Sequence, residues 1–344
     1  MKIIVDAFGG DNAPLEIIKG AVLARDQLVG VEPVLVGDEA EIRRVCAENS
    51  IDLGNIEVHT ANGFIPVDVD PFQIRHAYSE CSMAVGLKML ADGEGDAFVS
   101  AGSTGAVVVG ANLFVKRIKG VRKPAIGSII PGDKGSYLLM DTGANDNCSP
   151  DVLNFFGTMG SLYMEKVMRV PNPRVGLANI GVEPNKGTDL QRKAYELLSA
   201  NPNINFVGNV EARDIPFTAA DVVITDGFTG NIYLKTLEGT AKMLLGNVKQ
   251  IFTANTMSKL SYLGVRKGFH GLKNKFDSKK VGGAPLIGVR KPVIKAHGSS
   301  NAEAILNAIR QAQTYAEAGV IDIITENAAE SRKKAADEGA KADE

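Results

Sequence analysis

The chain reads as an α/β protein, with a mostly parallel sheet covered by helices on both faces. Three observations point there. Short apolar runs alternate with segments of helical periodicity through most of the 344 residues. Several of those runs are apolar at every position rather than every second one, as a strand buried on both faces requires. Thirty-seven glycines accompany only 6% aromatics and no Trp, a composition suited to tight strand-to-helix turns.

The expected strands are 2–6 (KIIVD), 33–37 (PVLVG), 96–100 (DAFVS), 136–141 (SYLLMD), 174–179 (RVGLAN), 204–207 (INFV) and 221–225 (DVVIT). The expected helices are 14–29, 39–49, 80–92, 104–116, 151–168, 188–200, 230–254, 300–317 and 320–332. Strand-then-helix repetition implies βαβ units with parallel neighbours. Length alone allows about two domains, yet no low-complexity linker interrupts 1–325, which is expected to form one unit. The final stretch, 326–344 (ENAAESRKKAADEGAKADE), is charged and Ala-rich with no apolar stripe, as in a frayed helix or disordered tail.

Composition excludes several functions. Lys plus Arg is 38 and Asp plus Glu is 40, a net charge of −2. A nucleic-acid binder needs a basic excess to neutralise phosphates. The cysteines Cys46, Cys81 and Cys148 are odd in number and far apart, which argues against a disulfide framework or zinc ribbon and for a reducing compartment. The four histidines show no metal-ligand spacing, so no metal is expected. The N-terminus opens directly on a strand-like run and does not resemble a signal peptide. No apolar stretch approaches the roughly 20 residues of a membrane span.

The chemistry is expected at glycine-containing turns that join strands to helices, where free N–H groups and helix dipoles suit phosphate. The first, VDAFGGDNAP, holds Gly9 and Gly10; alone it reads as a tight turn. Two others align without gaps: Asp96–Ala106 is DAFVSAGSTGA and Asp221–Asn231 is DVVITDGFTGN. Each reads Asp, three apolar residues, Ser or Thr, any residue, then G-x-T-G at a helix start. This repeat makes Ser103, Thr104 and Gly105, with Gly227, Thr229 and Gly230, a candidate pair of anion cradles. MDTGAN places Asn145 near a strand end, where its amide either orients a ligand or caps its own turn. KAHGSSNAEAI carries His297, Ser299 and Ser300. Ser300-x-x-Glu303 has the form of a capping box, and both serines are also anion candidates. There is no Walker loop, no complete G-x-G-x-x-G, no G-x-S-x-G elbow and no Cys in an activating setting, so no covalent nucleophile is evident.

Between 242 and 280, basic residues face a single acid, Asp277. Leu244, Leu245, Val248, Ile251 and Phe252 recur at helical spacing, and Leu260, Leu263 and Phe269 follow among Arg266, Lys267 and Lys273. This amphipathic, basic insertion is either a helix docked on the core or a dimer partner, or a surface for an acidic partner or anionic lipid. Gly264, Gly268 and Gly271 suggest that it breaks into short helices.

Taken together, DAFGGDNAP, SAGSTGA, LLMDTGAN, GNVEARDI, DVVITDGFTGN, GGAPLIGV and HGSS resemble the PlsX-type acyl-carrier-protein:phosphate acyltransferases of bacterial phospholipid synthesis, in unbroken order over about residues 1–325. Phe8, Ser103 and Thr142 depart slightly from the motif wording. The resemblance implies an α/β/α sandwich similar to isocitrate and isopropylmalate dehydrogenases and phosphate acetyltransferases. It implies a homodimer in the cytoplasm, peripherally associated with the inner face of the membrane and needing no cofactor. The implied reaction turns a long-chain acyl-carrier-protein thioester and inorganic phosphate into acyl phosphate. Direct attack by phosphate needs an anion cradle and an oxyanion donor. On that reading Lys186 and Lys235 neutralise phosphate, and Asp226, Asn231 and His297 orient it or exchange a proton. The rival readings are a coenzyme-A-dependent phosphate acetyl- or butyryltransferase, a decarboxylating dehydrogenase of the same fold, and a non-catalytic scaffold.

Overall fold

Eleven strands join into one sheet in a computed structural model of the chain, which describes residues 1–275 and 282–330. They are β1 (Lys2–Asp6), β2 (Glu32–Gly37), β3 (Glu57–Thr60), β4 (Ala97–Ser100), β5 (Ala125–Gly132), β6 (Gly135–Met140), β7 (Arg174–Asn179), β8 (Asn205–Glu211), β9 (Val222–Ile224), β10 (Gly283–Ile287) and β11 (Val293–Ala296). Their spatial order is β3-β2-β1-β4-β11-β10-β5-β6-β9-β7-β8. Every pairing is parallel except β11–β10, β10–β5 and β5–β6. The mostly parallel α/β sheet expected from the continuous apolar runs is therefore present.

β1 shows why those runs read as they do. Ile3 and Val5 are buried in the core on one face of the sheet, while Ile4 between them is buried in the core on the other. With water absent from both faces, alternation has no polar side, and each such side chain contributes about 1.5–3 kcal/mol of burial. On the Ile3 face lie α1 (Leu15–Gln27), α2 (Glu39–Glu48), α5 (Pro150–Lys166), α6 (Asp189–Ser199) and α9 (Ala302–Glu317). On the opposite face lie α3 (Ser82–Asp92) and α4 (Thr104–Gly110), with the first turns of α7 (Gly227–Thr253) packing through Tyr233, Leu234 and Leu237. A final helix, α10, runs over 320–330; residues 331–344 of the expected tail lie outside the described residues.

Four strands are absent from the sequence expectation. β3 is short and polar, β5 carries Gly and Pro, β10 carries Pro285, and β11 has only four residues. None shows a local period; each is a strand because of what it pairs with. β10 and β11 form a hairpin wedged between β4 and β5, and this brings two halves of the sheet together. The helix expected over 104–116 ends as α-helix at Gly110 and continues as a π-turn over Ala111–Val115.

The basic insertion forms two long helices rather than several short ones. α7 leaves the body and α8 (Thr256–Lys275) returns along it, unbroken at Gly264, Gly268 and Gly271. Open space surrounds all three glycines, so nothing there demands a kink. An aromatic ladder closes the hairpin, with Phe252 5.5 Å from Tyr262 and Tyr262 5.9 Å from Phe269 between ring centroids. Phe269, expected on the outer surface, is half-buried against Tyr262 of its own helix. Leu260 and Leu263 are 58% and 65% exposed, and Arg266 and Lys267 are exposed beside them. The side chain of Lys273 lies outside the described residues. No described helix is long and apolar enough to cross a membrane.

Candidate active site

A cleft of about 210 Å³ opens at the carboxyl ends of β4, β6, β9 and β11. One part of its wall is aliphatic: Ile126, Ile129, Ile130 and Pro131 from β5, and Leu234, Leu237 and Ala241 from α7. The other part is polar. Thr104 opens α4; Asn231, Lys235 and Glu238 lie on α7; and Lys295 and His297 come from the end of β11. The hydroxyls of Ser128 and Thr142 pair at 2.8 Å between the two parts. An amphiphile with an anionic head and an apolar tail is the ligand shape such a wall complements.

The polar end is held by close backbone packing of three turns. Asp11 N–H donates to Gly298 O at 2.8 Å, and Asn12 Nδ2 donates to Ser300 O at 3.1 Å. A Cβ on Gly9 would come within 2.5 Å of Asp6 Oδ2 and 2.7 Å of Gly102 N. One on Gly10, whose φ is +101°, would come within 2.9 Å of Gly298 O. These glycines let protein backbone approach protein backbone.

Beneath the turns lie two buried carboxyls. Asp6 accepts from Ser82 Oγ and Ser100 Oγ, both at 2.6 Å. Asp141 accepts from the N–H groups of Ile126, Ala144 and Asn145 at 3.0, 3.1 and 2.7 Å. Burial pushes both carboxyls above their ordinary range, against these hydrogen bonds.

His297 presents a defined tautomer. Its Nδ1 accepts from Ser299 N–H at 3.2 Å and lies 3.0 Å from Ser299 Oγ. In the neutral ring the proton therefore sits on Nε2. Burial, and then the positive charge of Lys235, lower the imidazole below its usual value. The three thiols are buried and shifted upward by desolvation, Cys148 to about 11. A thiol held in that direction is a poor nucleophile.

Residues 1–323 match the fatty acid synthesis protein family. A phosphate acyltransferase of Caldicellulosiruptor saccharolyticus is 43% identical over 326 residues, 95% of this chain and 98% of that protein. One from Thermoanaerobacterium thermosaccharolyticum is 44% identical over 324 residues, 94% and 96% of the respective chains. The chain belongs to the fatty acid synthesis protein family. It is an acyltransferase of lipid biosynthesis, as its phosphate acyltransferase relatives are. Among solved structures, its fold is similar to a phosphotransacetylase from Streptococcus pyogenes, with a TM-score of 0.61, 18% identity, and 92% and 94% of the two chains covered. It is also similar to the EutD phosphotransacetylase from Staphylococcus aureus, with a TM-score of 0.56, 17% identity, and 91% and 94% covered.

In this acyltransferase the cleft gathers four of the sequence candidates: Thr104, Asn231, Lys235 and His297. The others take different places. Asp226 caps α7, accepting from Thr229 N–H at 2.8 Å and from Thr229 Oγ1 at 2.9 Å, so the hydroxyl of Thr229 is committed to its own helix. Asn145, open between two roles in the sequence, donates Nδ2 to Asp141 Oδ2 at 2.9 Å and to Pro124 O at 2.7 Å. Gly227 and Gly230 pack on the 141–145 turn, where a Cβ would meet Asn145 O at 2.6 Å and Asp141 O at 1.9 Å respectively. Gly105 packs on Pro71, and Ser103 precedes α4 without a side-chain capping bond.

Lys186 is exposed on the loop after β7, away from the cleft walls. The helix cap expected at Ser300 falls instead on Asn301, whose Oδ1 accepts from Ala304 N–H at 3.1 Å. Ser300 Oγ donates to His297 O at 2.6 Å and closes the turn. Ser299 reaches the site only through His297.

Lys295 lines the cleft and was not among the candidates. Its signal in the sequence is faint: a single Lys in a short strand, two residues before His297. No group of three or more His, Cys, Asp or Glu side chains among the described residues is placed to hold a metal ion.

Proposed function

We propose that the cleft joins inorganic phosphate to a long acyl chain carried as a thioester on acyl-carrier protein. The observation that carries this reading is the division of one cleft into an aliphatic wall and a cationic, hydrogen-bonding end. The β5 and α7 side chains receive the first carbons of the chain, and Thr104, Asn231 and Lys235 hold phosphate beside the carbonyl. Asp226 acts through the α7 cap. Lys186 and the glycine turns act outside direct contact.

A phosphate oxygen of HPO₄²⁻ forms the new bond to the carbonyl carbon. The C–S bond breaks and its electron pair leaves on sulfur. The phosphate proton ends on that sulfur, giving acyl phosphate dianion and free thiol with no net proton change. His297, which lines the cleft with its neutral-ring proton on Nε2 and a lowered basicity, suits donation to the carbonyl oxygen as negative charge develops there. One such donor is worth about 3 kcal/mol of barrier. No acyl-enzyme is needed, because a thiolate with a pKa near 8.5 departs readily.

Incubation of the protein with long-chain acyl-carrier protein and phosphate is expected to give a hydroxylamine-reactive acyl phosphate. Product from acetyl- or butyryl-coenzyme A alone would overturn the substrate class in favour of the small-acyl rival.

The exposed Leu260 and Leu263 beside Arg266 and Lys267 favour a further role for the hairpin as a reversible dock on anionic lipid at the cytoplasmic face of the membrane. The same basic surface suits an acidic carrier protein, and a homodimer is the assembly proposed. Leu260→Glu with Leu263→Glu is expected to release the protein from anionic vesicles in a sedimentation assay while activity on soluble acyl-carrier protein survives. Undiminished vesicle binding would place those leucines against a protein partner instead.

A further inference from the structure

We infer that Lys295 is the principal phosphate-binding cation of the cleft, ahead of Lys235 and Lys186. The assignment rests on the phosphate-transfer reading above and names a residue within it.

Three lysines compete for this role. Lys186 stands on an exposed loop. Lys235 lines the cleft but already has an anion: Glu238 Oε2 lies 2.7 Å from its ammonium, one turn along α7, and 55% of the Lys235 side chain is exposed. An exposed pair at helical spacing is screened, and Glu238 offsets part of the Lys235 charge, so Lys235 offers a ligand less than an ammonium without a carboxylate partner does.

Lys295 differs on each count. Its backbone sits in the middle of the sheet, paired with Ala284 on β10 and Ser100 on β4, so its Cα cannot drift. Its side chain is part-buried, and its ammonium donates to the carbonyl of Ala296. Among the described residues it forms no ion pair with a carboxylate, whereas Lys235 does. Asp6 and Asp11 act on it only through space, and Lys235 repels it.

An ammonium held in that setting is under-compensated until an anion arrives. A phosphate dianion between Lys295 and Thr104 supplies the missing charge. The ammonium keeps its protons through the transfer: the phosphate oxygen bonds to the carbonyl carbon, and sulfur leaves with the C–S electron pair and takes the phosphate proton. Lys295 thus contributes charge and position, and no proton of its own.

The test compares Lys295→Met, Lys295→Arg and Lys235→Met in acyl phosphate formation, varying phosphate at fixed acyl-carrier protein. Lys295→Met should raise KM for phosphate by about 30-fold or more, the usual loss when one partner of a desolvated charge pair is removed. KM for acyl-carrier protein should barely move. Lys295→Arg should recover part of the loss, and Lys235→Met should cost less than Lys295→Met.

A second arm needs no turnover and no folded variant. Acetic anhydride labels amines of the wild-type protein with and without inorganic phosphate, and peptide mass spectrometry reads each site. Phosphate should protect Lys295 more strongly than Lys235. An unchanged phosphate KM in folded Lys295→Met, or equal labelling of Lys295 with and without phosphate, would overturn the assignment. Absence of acyl phosphate from the wild-type protein would instead count against the reaction, while the labelling arm would still decide the anion site.

Discussion

The two eleven-residue copies, Asp96–Ala106 and Asp221–Asn231, begin alike and end differently. Their leading aspartates do the same work. Asp96 Oδ2 accepts from Lys2 N–H at 2.8 Å and Asp221 Oδ2 from Arg174 N–H at 2.8 Å, each tying the first residue of a parallel neighbour. The copies diverge at the sixth position, Ala101 against Asp226. An Asp there accepts from the N–H three residues on, so α7 begins at Gly227. An Ala cannot, so α4 begins two residues later in the repeat, at Thr104.

That two-residue offset changes the fate of the shared threonine. Thr229 falls inside α7 and bonds its own cap; Thr104 stands at the mouth of α4 and lines the cleft. The second copy reaches the cleft two residues on, through Asn231, where the first has Ala106. A repeated pattern therefore marks a repeated turn, while capping decides which of its side chains meets a ligand.

The largest effect expected from this contrast is on the shared final glycine. Gly230→Ala puts a Cβ 1.9 Å from the backbone oxygen of Asp141, which cannot move without disturbing β6. A loss of about 3 kcal/mol or more is expected in denaturant unfolding. Gly105→Ala meets a Pro71 ring carbon at 2.7 Å and should cost clearly less, because a side-chain ring at the start of a short 3₁₀ helix shifts more easily than backbone at a strand end. Equal losses would mean that the two copies are packed alike.

The threonines should separate function from stability. Thr104→Val is expected to raise KM for phosphate about tenfold, one hydrogen bond to a charged ligand, with unfolding midpoint little changed. Thr229→Val should leave phosphate kinetics alone and lower stability by about 1 kcal/mol, because Asp226 loses a donor. The reverse pattern would show that α7 opens to admit phosphate.

A smaller effect is expected with pH. Burial, then repulsion from Lys235, lower Lys295 to about 8, and Asp11 and Asp6 oppose the shift. His297, lowered in the same direction, adds no charge at alkaline pH. The charged form of Lys295 is thus present below about 8 and lost above it, so KM for phosphate should climb several-fold between neutral and clearly alkaline pH. Lys295→Arg should flatten that climb, since guanidinium keeps its charge. A slope unchanged in that variant would assign the titration to another group.

Much of the fold was legible because burial on both faces writes itself locally. β1, β2, β4, β6, β7 and β9 announce themselves as apolar runs, and the glycine turns mark where they end. β3, β5, β10 and β11 carry no such mark. Hydrogen bonding to distant neighbours makes them strands, and a Pro or Gly is tolerated where an edge or a hairpin spares the bond. Gly264, Gly268 and Gly271 illustrate the opposite: each is a weak helix former, yet α8, packed on α7 through Phe252 and Tyr262, runs unbroken past them.

The same division runs through the site. Residue order alone identified the turns, the Thr-Gly repeat and HGSS, because backbone approach to another chain segment demands Gly whatever lies opposite. It could not say which polar groups are left over for a ligand. Asp226 and Thr229 satisfy each other, Asn145 satisfies Asp141, and Lys235 satisfies Glu238. Lys295 pairs with no carboxylate among the described residues, on a strand too short to read and beside a wall drawn from β5 and α7. A local pattern fixes which groups a segment can offer; the neighbours brought in by tertiary packing decide which of those groups are already taken.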